Sequence, residues 1–95
     1  MKELVLDFTK CKKAKSTDEL YEVIKKTFQY PFSYGNNPDA LLDAMWHMWK
    51  DDVHLKIYGV NALEYLYLQM EMEYIIDVFK DVHEDTPNVT FEIVS

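Results

Sequence analysis

Turn-forming residues are scarce in this chain, with two Gly and three Pro in 95 residues. So few breakers argue against a loop-dominated or disordered polypeptide, and an apolar content of 48% points to a folded core. Basic charge is short as well: ten Lys plus Arg stand against seventeen Asp plus Glu, a net −7. That balance argues against a binder of phosphate backbones and against attraction to an anionic membrane surface. An acidic protein this small is better matched to a basic protein. The single Cys11 cannot form an internal disulfide, which fits a reducing compartment. No apolar run reaches bilayer length, and Met1 to Lys10, interrupted by Glu3 and Asp7, does not read as an export signal. The expectation is one cytoplasmic domain over residues 1–95.

What is present organises itself into alternating strands and helices. Glu3–Phe8 is apolar and β-branched enough for a buried strand. Thr9 to Lys15 is a basic connector, within which Cys11 reads as a small packed hydrophobe in the absence of a partnering His. Ser16 and Glu19 have the spacing of a capping box, and Leu20, Val23, Ile24 and Phe28 continue it as the stripe of a first helix. Pro31 forbids continuation, so Gln29 to Asn37 is a loop carrying Tyr30, Phe32 and Tyr34. Some of these rings should pin the loop to the core, and Tyr34, beside Gly35, is the one to present outward.

Asn37-Pro38-Asp39 is a helix start: Asn at the N-cap, then Pro where its missing N–H costs nothing. The helix should run Pro38 to about Trp49. At roughly 100° per residue, Leu41, Ala44, Met45 and Met48 share one side. Asp39 and Asp43 fall on the other, flanked by Trp46 and His47. Two carboxylates in the first two turns are stabilised as anions by the helix dipole. Such a face reads most simply as a solvated acidic helix start beside a half-buried Trp, and an acidic turn by itself is weak evidence for anything more.

Val53–Tyr58 alternates apolar and polar residues like a strand with one exposed face, and Gly59 ends it. From Asn61 to Glu84 there is neither Gly nor Pro, yet the apolar phase changes. Leu63, Leu66, Tyr67 and Met70 share one side, whereas Met72, Ile75, Ile76, Phe79 and Val82 share nearly the opposite one. The shift predicts two helices, Asn61–Gln69 and Glu71–His83. A turn at Asp85–Asn88 leads to a last strand, Val89–Val94. The order β-α-α-β-α-α-β predicts an α/β fold with a three-stranded parallel sheet joined by right-handed crossovers, and four helices.

Catalysis and metal binding find little support. His47 and Asp51 are spaced i, i+4, but the helix should end before Asp51 and His54 lies in a strand, so no metal is expected. There is no Gly-rich phosphate loop, nucleophile elbow or Cys–His pairing, and no cofactor is expected. Asp39 and Asp43 on one exposed turn would both stay ionised, which suits binding better than acid–base chemistry.

The run Tyr34-Gly35-Asn36-Asn37-Pro38-Asp39-Ala40-Leu41-Leu42-Asp43 resembles the Y-G-x-N-x-D-A-L-x-D signature of the barstar family, intracellular inhibitors of barnase-type ribonucleases. Val78-Phe79-Lys80-Asp81 is similar to a second family segment, and the element order agrees. The resemblance implies a non-enzyme that blocks a basic ribonuclease cleft, its carboxylates standing where RNA phosphates bind. It implies two separate helices after the second strand. It also implies Asp43 in the phosphate site, Asp39 one turn earlier, Tyr34, Gly35, Asn36 and Asn37 from the loop, and Asp81 as a further acidic contact. Ser33 and Leu42 stand where the best-known inhibitor has Tyr and Trp, Asn36 replaces an acid, and Asp81 is one methylene shorter than Glu. Trp46 lies where it can supply the lost aromatic area. The implied partner is a barnase-like ribonuclease, with no direct nucleic acid or membrane, bound by a chain that is monomeric when free. A different class remains open: an immunity or antitoxin protein, or an acidic docking module, with this fold and another partner.

Overall fold

The computed structural model describes residues 2–29, 36–49 and 51–94. Three parallel strands, β1 (Lys2–Asp7), β2 (Val53–Tyr58) and β3 (Val89–Val94), lie side by side in sequence order. The register aligns Leu4 with Leu55 and Phe91, and Leu6 with Ile57 and Ile93. Asp7 leads into a 3₁₀ turn at Phe8–Cys11 by accepting the Thr9 N–H at 3.0 Å. The helices are α1 (Thr17–Phe28), α2 (Pro38–Met48) and α3 (Leu66–Asp85).

Alternation in β2 decides which way the sheet faces. Val53, Leu55 and Ile57 are buried, and with Leu6 and Val89 they meet Leu20 and Ile24 of α1 and Met72, Ile75 and Phe79 of α3 in one core. The other face carries Glu3, His54, Lys56, Thr90 and Glu92, each partly or fully exposed. Lys56 lies 3.5 Å from Glu3 and 4.0 Å from Glu92, and His54 lies 3.3 Å from Glu92. Charges laced across that face make it unattractive to a further β-sheet.

Local signals set the helix starts. Ser16 and Glu19 form the capping box expected from their spacing. Tyr21, buried on α1, donates its hydroxyl to Glu71 on α3 at 2.5 Å, tying the two helices together. Burial, and then the Glu71 carboxylate, push the Tyr21 phenol above its ordinary pKa, so it remains a donor at any physiological pH.

The region after β2 corrects the sequence reading. Instead of helices at Asn61–Gln69 and Glu71–His83, one uninterrupted helix spans Leu66–Asp85, and the described residues hold three α-helices, not four. Ahead of it, the Ala62 N–H closes a turn onto the Gly59 carbonyl, and Leu63 is buried without belonging to a helix. The inward face of α3 is Leu68, Met72, Ile75, Ile76, Phe79 and Val82, one continuous stripe. Leu66, Tyr67 and Met70, which suggest a second phase, point to solvent instead. The two-helix expectation equates apolar character with burial, and on this helix that equation fails.

Candidate partner-binding surface

Helix α2 presents the acidic face and is fastened at both ends. At its start, the Asn37 side chain accepts the Ala40 N–H at 2.8 Å, with Pro38 in the first turn. One residue earlier, the Asn36 amide donates to Asp18 at the start of α1, 3.1 Å away. Past its end, the Trp49 ring meets Phe28 edge-to-face, with centroids 4.8 Å apart. Between these anchors Leu41, Ala44 and Met45 are buried, and Leu42 packs half-buried against the core. α2 also packs directly on α3.

With the inward side fixed, the outward side follows. Asp39 is exposed and has no hydrogen-bond or ion-pair partner among the described residues. Asp43 is half-exposed, and its one ion-pair neighbour among the described residues is His47 one turn on, at 3.7 Å. Both members of that pair face water, so it stabilises by no more than about 0.5 kcal/mol and leaves the carboxylate available. Trp46 is 48% exposed on the same side of the helix. Asp39, Asp43 and Trp46 therefore share a ledge held by a rigid, capped helix.

The remaining expected contacts are distributed differently. Asp81 is exposed on α3, aimed outward because Val78 and Phe79 beside it are buried. Asn36 and Asn37 spend side-chain groups on fixing the helix start, so their main effect is positional. Tyr34 and Gly35 lie outside the described residues. Replacing Asn37 by Ala should cost about 1 kcal/mol of stability by orphaning an N–H of the first turn. A urea melt would register the lowered midpoint, and an unchanged midpoint would show that the cap contributes nothing.

Other reactive groups are not arranged for chemistry. Cys11 is buried, its thiol 3.8 Å from the Glu19 carbonyl. Burial and then the nearby Glu19 and Asp7 carboxylates raise its pKa, disfavouring the thiolate that a nucleophile needs. Among the described residues no three His, Cys, Asp or Glu side chains gather to hold a metal ion. No described helix is long and apolar enough to cross a membrane.

Sequence reasoning misses one surface. Tyr65, Leu66, Tyr67, Met70 and Tyr74 are exposed large hydrophobics on α3 and the residue before it. The signal for it is the change of apolar phase, which marks two apolar faces of one helix as readily as two helices.

A family model described as Barstar (barnase inhibitor) matches residues 1–95, the whole chain. No curated protein matches it.

Proposed function

The chain belongs to the barstar family, described as barnase inhibitors, and from that premise we propose that it blocks a barnase-type ribonuclease with the α2 ledge. A ribonuclease must hold phosphates, so its cleft is cationic. Asp39 offers a carboxylate in the first turn of α2, at the positive end of the helix dipole, which favours the anion, and Asp43 adds a second carboxylate one turn further on. The observation that carries this reading is their freedom: Asp39 is unpartnered among the described residues and Asp43 is held only by an exposed His47. Carboxylates already committed to internal ion pairs could not replace RNA phosphates.

Docking would exchange water around these acids for Arg, Lys and His of the cleft in a low-dielectric interface, where each charge pair is strong. Trp46 would add apolar area beside them, and Asp81 a further acidic contact from the neighbouring helix. Nothing in this scheme makes or breaks a covalent bond, as expected of an inhibitor. We place the protein in a reducing cytoplasm, in keeping with its one cysteine, and read it as monomeric when free, since like charge opposes self-association.

The direct test is RNA cleavage by barnase with increasing amounts of the chain. Activity should fall to the background once the two are equimolar; cleavage undiminished at large excess would end the proposal. With a net charge of −7, the inhibitor should also be steered toward a cationic enzyme over distances near the Debye length. Raising salt should therefore slow association far more than it speeds dissociation. Stopped-flow association rates that stay level from low to high salt would remove steering from the account.

A further inference from the structure

We propose that the outward stripe of α3 is a second contact surface for the same basic ribonuclease, seating apolar side chains that sit among Lys or Arg outside its catalytic cleft. This rests on the inhibitor reading above and extends the contact beyond the acidic ledge.

Leu66, Met70 and Tyr74 follow one another at i, i+4 and i+8 and are 69%, 47% and 51% exposed. Tyr67 flanks them, its ring stacked on Tyr65 with centroids 5.5 Å apart and its hydroxyl donating to the Lys15 carbonyl. The spacing places this stripe opposite the buried Leu68, Met72, Ile75 and Phe79. Tyr67 is held by these internal contacts, but solvent gives no reason for Leu66, Met70 and Tyr74 to line the outer face of a helix, whereas Tyr and Met are enriched in protein interfaces. The stripe does not stop at Tyr74. Asp77 and Asp81 continue it at i+11 and i+15 from Leu66, both exposed and unpartnered among the described residues. The apolar stretch thus runs directly into the acidic contact assigned to Asp81.

Charge selects the occupant. From Glu64 to Asp81 the chain carries Glu64, Glu71, Glu73, Asp77 and Asp81 against the single Lys80. A second copy of this chain would set acid against acid. A basic protein would be attracted, and the surface beside the stripe is shaped to receive its long cationic side chains. There an open cleft of about 600 Å³ is lined by Met72, Ile76 and Ile93, with Glu73, Asp77 and Lys80 also lining it. An Arg or Lys stem can lie on that apolar floor while its head reaches Glu73 or Asp77.

The test uses the whole chain with barnase as probe, comparing wild type, Asp43→Ala and the double variant Met70→Ser/Tyr74→Ser by titration calorimetry at low and high salt. Met70 and Tyr74 are exposed, so folding should survive, and unfolding curves verify it. The double variant should bind roughly tenfold more weakly, by the same factor at both salts, because the lost contact is apolar. Asp43→Ala should lose more than the double variant at both salts, because the charge it strands in the interface is screened little. Wild-type affinity in the double variant, with a large loss in Asp43→Ala, overturns the second surface and leaves the inhibitor reading standing. No binding by the wild-type chain overturns both. Sedimentation that shows a wild-type dimer, dissociated by the double variant, overturns the proposal in favour of a second copy as occupant.

Discussion

Asp43→Ala is expected to weaken binding to barnase by roughly thirtyfold or more, whereas Glu22→Ala on α1 should change it by less than about twofold. Both substitutions remove one negative charge, so both change the net charge of the inhibitor by the same amount. They differ in where the charge ends up. Glu22 is exposed on α1, whereas Asp43 belongs to the ledge that would enter the cleft. Removing one member of a desolvated charge pair strands the other in a low dielectric, and that stranded charge costs about 2–5 kcal/mol.

The comparison also separates binding from folding. Asp43 is half-exposed and its ion-pair partner is the solvent-facing His47, so its loss should alter stability by about 0.5 kcal/mol at most. The unfolding midpoint should stay nearly fixed while the dissociation rate rises. Small and equal effects of the two variants in a calorimetric titration would mean that only net charge matters, and the ledge would lose its role. A large effect of Asp43→Ala with none from Asp39→Ala would narrow the phosphate mimicry to a single carboxylate.

These expectations can be framed from the sequence because α2 advertises itself locally. Asn37-Pro38 marks its start, and the caps and strand alternation that define α1, β2 and β3 are likewise written within a few residues. β2 and β3 span the residues expected for them, Val53–Tyr58 and Val89–Val94. Such signals are legible because the energy they report, a capped N–H or a buried alternate side chain, is local. The course of the chain from Asn61 to Asp85 is not legible for the opposite reason. Whether Leu66 and Met70 face the core or solvent depends on how α3 lies over the sheet, which no short window encodes. Read as core residues they force a helix break; read as surface residues they leave Leu66–Asp85 continuous. The same limit applies to the site: Asp39 and Asp43 can be assigned a face, but the loose His47 contact and the amide tether of Asn36 to Asp18 depend on the folded backbone.

Gly59 shows how a legible residue can hide its reason, and Gly59→Ala should be among the most damaging single-methyl additions in the chain. From the sequence, Gly59 simply ends β2. In the fold it adopts φ of +78°, and a Cβ there would stand 2.4 Å from the Thr9 backbone nitrogen and 2.8 Å from the Phe8 carbonyl carbon. The left-handed conformation alone costs an L-residue about 1–2 kcal/mol. The overlap adds to this, because backbone atoms cannot rotate away as a side-chain end could. Relief requires shifting the 3₁₀ turn away from the end of β2. That movement would disturb Asp7, which accepts from both the Thr9 hydroxyl and N–H and pairs with Tyr58 in the last register of β1 and β2. Together the two effects should lower stability by roughly 3 kcal/mol, seen as a large fall in the urea midpoint. Gly59 follows β2 and the ledge is on α2, so in molecules of the variant that remain folded the binding loss caused by Asp43→Ala should be the same as in the wild-type background. A Gly59→Ala variant that melts like the wild type would mean that the turn yields easily and that the tight approach to Thr9 imposes no constraint.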